Sequence, residues 1–89
     1  MKMTCAEARQ IDLVDYLFTL GHHPEKIRNQ NFWYLSPLRE EQTASFKVSR
    51  RKGFWFDFGT GRGGDIIDFG VLYHKCDVTE LLERLTERN

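Results

Sequence analysis

The chain has 89 residues, with 13 basic and 13 acidic side chains and a formal net charge of zero. That length holds one domain at most, large enough to bury a single core. No apolar run reaches the about 20 residues of a membrane span and no signal peptide stands at the start, so the expected location is the cytoplasm.

Two cysteines, Cys5 and Cys76, lie far apart with no ligand-like spacing. They form neither a disulfide framework nor a zinc site by themselves, which fits a reducing compartment. The zero net charge conceals an uneven distribution. Residues 44–64 carry Lys47, Arg50, Arg51, Lys52 and Arg62 against Asp57 alone, for a local charge of +4, while residues 65–89 carry −3. A basic island interleaved with aromatics suits a nucleic-acid surface; the plainer alternative is a solvated hairpin tip.

In chain order, Thr4-Cys-Ala-Glu7 has the form of a capping box and predicts a helix start. Ile11, Val14, Leu17 and Phe18, widened by Leu13 and Leu20, recur at helical spacing and predict a core-facing stripe ending at Gly21. Asp12 is a second cap candidate, so residues 4–20 form one bent helix or two short ones. His22 and His23 stand in a polar loop, where neighbouring side chains diverge and no third metal ligand is near.

Residues 31–36 read as an aromatic strand ended by Pro37, and residues 44–49 alternate cleanly, with Phe46 and Val48 on one face. Residues 50–53 form a turn closed by Gly53. In the following strand Phe54, Phe56 and Phe58 share one face and Trp55 and Asp57 the other. Placing the three Phe in the core with Phe46 and Val48 puts Lys47 and Trp55 on a basic, aromatic outer face.

The run Gly59-Thr-Gly-Arg-Gly-Gly64 matches G-x-G-x-x-G, but the chain is too short for a dinucleotide fold. That fold also needs an acidic residue on a second parallel strand about 20 positions later, where this sequence is helical. The glycines predict a tight knuckle, followed by a helix capped at or near Asp65. Ile66, Phe69, Gly70 and Tyr73 form its stripe, with Gly70 marking close packing. Asp77-Val-Thr-Glu80 is a further cap, and Val78, Leu81, Leu82 and Leu85 face the core from a final helix. Asp57, Asp65 and Asp68 read as solvated or capping carboxylates rather than a metal site, and no nucleophile–base pair is present.

From Ile11 to Leu85 the chain resembles the N-terminal zinc-binding module of bacterial DNA primases. The resemblance is carried by Ile-Asp-Leu-Val-Asp-Tyr-Leu at 11–17, Thr-x-Ser-Phe-x-Val at 43–48 and Lys-Gly-Phe at 52–54. Gly-Gly-Asp-Ile-Ile-Asp-Phe at 63–69 and Glu-Leu-Leu-Glu-Arg-Leu at 80–85 complete it. It implies an α+β domain spanning residues 1–89: a small antiparallel, zinc-ribbon-like sheet flanked by N-terminal and C-terminal helices, at the front of a longer primase-like protein. In that family a Cys-Pro-x-His and a Cys-x-x-Cys hold zinc. The corresponding positions here are Ser36, Arg39, Asp57 and Thr60, and the family's Pro before Ser45 is Ala44.

Arg is not a zinc ligand and Ser and Thr are poor ones, so the expectation is no zinc and no other cofactor. The chain is similar in this to ligand-free modules of Toprim-bearing primase-like proteins of plasmids and conjugative elements, which share Trp33-Tyr-Leu-Ser-Pro37 and Trp55-Phe-Asp-Phe-Gly59. Arg39 and Asp57 are expected to pair and staple the two knuckles.

The resemblance implies a non-catalytic module that binds single-stranded template DNA, with a Toprim primase domain and a replicative helicase as partners and no membrane. The basic and aromatic residues agree: Lys47, Arg50, Arg51, Lys52 and Arg62 for phosphates, Trp55 with Trp33 or Tyr34 for stacking. The competing expectation is a protein-interaction module without DNA binding of its own, docking through the acidic C-terminal helix with Glu80, Glu83 and Glu87.

Overall fold

The computed structural model describes residues 2–40 and 43–87. Two short helices, α1 (Cys5–Ala8) and α2 (Leu13–Thr19), precede strands β1 (Lys26–Arg28), β2 (Asn31–Tyr34), β3 (Phe46–Ser49), β4 (Phe54–Asp57) and β5 (Arg62–Gly64). Helices α3 (Ile66–His74) and α4 (Val78–Glu87) follow. The strands form one antiparallel meander in the order β1-β2-β3-β4-β5, so the domain is α+β as expected.

Side-chain caps start the helices where the sequence places them. The Thr4 hydroxyl accepts from the Glu7 amide at 3.1 Å, and the Glu7 carboxylate accepts from the Thr4 amide at 2.9 Å. Asp12 accepts from the Asp15 amide at 3.0 Å and begins a new helix, which divides residues 4–20 into two. Asp65 and Asp68 form a capping box at α3, and Asp77 accepts from the Glu80 amide at 2.8 Å before α4. Each cap satisfies an amide that the first helical turn leaves without a partner.

The inner face of the sheet carries Phe32, Tyr34, Phe46, Val48, Trp55 and Asp57, all buried. Phe46 stacks on Trp55 at 5.2 Å between ring centroids, and Phe69 of α3 meets Phe46 edge-on at 6.0 Å. The parity of β4 is therefore the reverse of the expected one. Trp55 is 2% exposed, whereas Phe54, Phe56 and Phe58 are 53%, 39% and 56% exposed. The pairing explains it: Val48 lies opposite Trp55 and Phe46 opposite Asp57, so the core residues of β3 take those two with them.

Two further apolar residues lie outside the core that periodicity assigned them to. Phe18 is largely exposed with its ring against His23, and Val78, at the start of α4, is also exposed. Tyr16 takes the buried place on α2, its ring edge on Phe69 and its hydroxyl 2.7 Å from His74 Nε2.

Gly70 packs as its position predicts: a Cβ there would overlap the Leu81 side chain of α4. Gly70→Ala gains about 1 kcal/mol of helix propensity but overpacks that contact at a cost of about 1–3 kcal/mol. The expected result is a net loss of about 1 kcal/mol in urea denaturation. A raised midpoint would mean that Leu81 moves aside freely.

Candidate nucleic-acid interface

The outer face of the sheet follows from the same two-residue period. Pairing aligns Lys26, Trp33, Lys47, Phe56 and Gly63 in one row across all five strands. A second row aligns Arg28, Asn31, Ser49 and Phe54 across the first four. Neither row contains a carboxylate. Lys47 Nζ sits 5.8 Å from the Trp33 ring centroid, within cation–π range. Phe58 stacks on Trp33 at 5.6 Å and 20°, and Phe56 meets Phe58 at 4.7 Å. At Gly63 a Cβ would lie 2.8 Å from the Trp55 carbonyl oxygen and 2.9 Å from Phe56 Cδ1, so a larger residue would crowd both the neighbouring strand and that ring.

A groove of about 500 Å³ opens at the hairpin end of this face. Its cations are Lys47, Arg51 and Lys52, its exposed rings Phe54 and Phe56. Asn29, Gln30, Asn31 and Ser49 add amides and a hydroxyl. Gly53, with φ +71°, lets the 50–53 turn close, its amide donating to the Ser49 carbonyl at 2.8 Å.

Of the residues assigned to nucleic acid from the sequence, Lys47, Arg51, Lys52 and Trp33 come together here. Four others do not. Trp55 is buried, and its indole N–H donates to the Asp65 carbonyl at 2.9 Å. Tyr34 is buried against Phe46, and burial pushes its phenol up to about 12. Neither offers a stacking face. Arg50 donates from Nε to Asp12 at 2.7 Å and from Nη2 to Asp15 at 3.0 Å, so its charge is spent on the first turn of α2. Arg62 pairs with Asp57 in register and lines a groove on the helical side with Leu72, away from the outer rows.

Sequence reasoning missed Lys26 and Arg28, because β1 is three exposed residues without apolar alternation. It also placed Phe54 and Phe56 inside. The position of Asp57 opposite Ser36 and Arg39 was the available signal, since an inward Asp57 forces Trp55 inward and its neighbours outward.

On the inner side, the two knuckles meet at Asp57. Arg39 donates from Nη2 to Asp57 Oδ1 at 2.7 Å and from Nε to Oδ2 at 3.2 Å, a two-pronged pair. The Gly59 amide donates to Oδ1 at 2.9 Å and the Ser36 hydroxyl to Oδ2 at 3.1 Å. Arg39 Nη2 also lies 3.4 Å from the Ser45 hydroxyl, and a Cβ at Gly59 would overlap the guanidinium. Thr60 borders the same groove as Arg39 and Asp57, and its exposed hydroxyl accepts from the Arg62 amide at 3.4 Å. Burial alone would raise the Asp57 carboxyl, but the Arg39 fork, the Gly59 amide and the Ser36 hydroxyl outweigh it and hold the pKa below the usual carboxylate value.

The chain matches the family described as CHC2 zinc finger over residues 7–89. It belongs to that family. It is 36% identical over 75 residues to the DNA primase of Escherichia coli strain K12, covering 84% of this chain and 12% of that protein. With the DNA primase of Helicobacter pylori strain J99 the identity is 41% over 58 residues, covering 65% of this chain and 10% of that one. The crystal structure of the Aquifex aeolicus primase, zinc-binding and RNA polymerase domains, superposes with a TM-score of 0.74 at 35% identity, covering 90% of this chain and 19% of the other. The chain thus spans about a tenth of the length of the curated relatives it matches.

The family implies zinc, and the donor set at the knuckles does not fit it. Asp57 is the sole zinc-type donor among Ser36, Arg39, Asp57 and Thr60, and its two oxygens already receive four donors, two of them from a cation. Among the described residues, no group of three or more His, Cys, Asp or Glu is placed to hold a metal ion.

Arg39→Ala leaves the Asp57 carboxylate buried without its counterion. A loss of about 3 kcal/mol is expected, the low end for breaking a buried pair, because Arg39 keeps some contact with solvent. A carboxyl with a depressed folded pKa adds stability above its unfolded value of about 4, and this is lost as pH falls through the folded value. Urea midpoints measured from neutral pH downward should therefore fall more steeply below about pH 4 for the wild type than for Asp57→Asn. Parallel curves would show that the pair carries no linked stability.

Proposed function

We propose that the outer face of the sheet binds single-stranded DNA as the template-contacting, non-catalytic module of a DNA primase, and that the module folds without zinc. The observation that carries the first part is the row Lys26, Trp33, Lys47, Phe56, in which cations alternate with rings and no member is a carboxylate. Rings give stacking platforms for unpaired bases and the cations meet the phosphates between them. Support for the second part is the saturated Arg39–Asp57 clasp. We place the parent protein among primase-like proteins of mobile elements, the setting in which the resemblance puts ligand-free modules.

A second reading rests on the opposite side. Ile67, Val71, Leu72 and Val78 line a groove of about 420 Å³ between β5 and the helices, with Leu72 and Val78 exposed. This groove suits a protein partner such as a primase catalytic domain or a helicase. Leu72 lines this groove and belongs to neither outer row, so Leu72→Asp should weaken docking and leave DNA binding unchanged.

The DNA reading is tested by anisotropy of a labelled single-stranded oligonucleotide. With Lys26, Arg28, Lys47, Arg51 and Lys52 all engaged, affinity should fall about a hundredfold between about 50 and 200 mM salt. Phe56→Ala should cost about 1–3 kcal/mol of binding. No binding at the lower salt, or full binding by Phe56→Ala, would refute it.

Zinc independence has its own readout. Excess EDTA should leave the melting temperature unchanged, and elemental analysis of the purified chain should find no stoichiometric zinc. A chelator-induced drop comparable to loss of a structural metal, about 10 kcal/mol or more in small fingers, would overturn it.

A further inference from the structure

The second outer row differs in chemistry from the first. Where the first alternates cations and rings, the second runs Arg28, Asn31, Ser49, Phe54, and Asn29 and Gln30 of the β1–β2 turn extend it. Three consecutive carboxamides therefore stand at one end of the groove, facing an exposed phenylalanine across the small Ser49. Among the described residues, no hydrogen bond within the molecule engages the side-chain amide of Asn29, Gln30 or Asn31; the Gln30 contact to Arg50 runs through its backbone carbonyl. Phosphate oxygens accept hydrogen bonds and gain nothing from an amide oxygen. A nucleobase edge pairs a donor with an acceptor, as a carboxamide does.

We infer that this end of the groove holds one unstacked nucleobase, its plane on Phe54 and its edge on the amides of Gln30 and Asn31, and that the preferred base is adenine. The inference rests on the single-strand reading above and adds base selection to it. Adenine offers the carboxamide a matched donor–acceptor pair at N6 and N7. In an unpaired strand it offers a second such pair at N6 and N1, so two base orientations satisfy the site. In an unpaired strand thymine pairs N3–H with O4 or O2 and guanine pairs N1–H with O6, but thymine brings a smaller ring and the N7–O6 edge of guanine presents two acceptors. Cytosine offers one matched edge, at N4 and N3. A purine also covers more of the Phe54 ring. Lys47, Arg51 and Lys52 around the groove hold the flanking phosphates and add affinity for every sequence.

The test is competition anisotropy with oligothymidine strands of equal length, alone or with a central run of adenine, cytosine or guanine. The adenine strand should bind about tenfold more tightly than the others. Gln30→Ala and Asn31→Ala, separately and together, should weaken the adenine strand about tenfold and plain oligothymidine by much less, so that the preference disappears. Lys52→Ala should weaken all four strands alike. Equal affinities for all strands in the wild type, preference for another base, or a uniform loss in the amide variants would overturn the inference and leave the DNA reading standing. Failure of the wild type to bind any strand would overturn both.

Discussion

Strand β4 turns Trp55 and Asp57 toward the helices, and a polar bond as well as packing holds each of them there. The Trp55 indole donates to the Asp65 carbonyl, while the carboxylate of Asp65 caps α3 and accepts from Arg9 at 2.9 Å. One residue thus joins β4, α3 and the end of α1. Two positions along β4, Asp57 gathers Arg39, Ser36 and the Gly59 amide and so closes both knuckles. Successive residues of a strand point to opposite faces, so these two inward anchors oblige Phe54 and Phe56 to face solvent. An outer face with exposed rings is the consequence of a buried tryptophan and a buried ion pair.

The helices were legible because their signals are local. Thr4 with Glu7, Asp12, Asp65 and Asp77 each satisfy amides a few residues away, and Leu81, Leu82 and Leu85 repeat at helical spacing. The sheet was less legible because its signals lie across strands. Phe-x-Phe-x-Phe at 54–58 outweighs Trp-x-Asp in apolar content. The register with β3, the Trp55–Asp65 bond and the pairing of Asp57 with Arg39 make Trp55 and Asp57 the inward residues. Strands β1 and β5 had no signal of their own: Lys-Ile-Arg has no apolar alternation, and Arg-Gly-Gly has little strand propensity. Arg50 looked like its neighbours in the basic run, and only the approach of α2 to the sheet assigns it to Asp12 and Asp15.

The clasp shows how an organic ion pair can serve as a junction. A carboxylate has about four acceptor sites, and here four donors fill them from the two knuckles. Burying a charge is costly when any site stays empty, and a filled set removes most of that cost. The pair holds the knuckles in one geometry more than it adds net stability. The aromatic core around Phe46, Trp55 and Phe69 supplies the burial, at about 1.5–3 kcal/mol for each large side chain.

The clasp and the outer rows use alternate residues of the same strand. Asp57 faces inward; Phe56, next to it, faces outward, and the same alternation separates Phe46 from Lys47. Exchanging metal-type ligands for an ion pair at Asp57 and its partners therefore changes one parity of the strand and leaves the other untouched. The outer face depends on the clasp for its shape and not for its chemistry. Exchange of the inward knuckle residues thus reaches the cation–ring row through the backbone they hold, whereas Phe58, between Asp57 and Gly59, touches that row directly through Trp33 and Phe56.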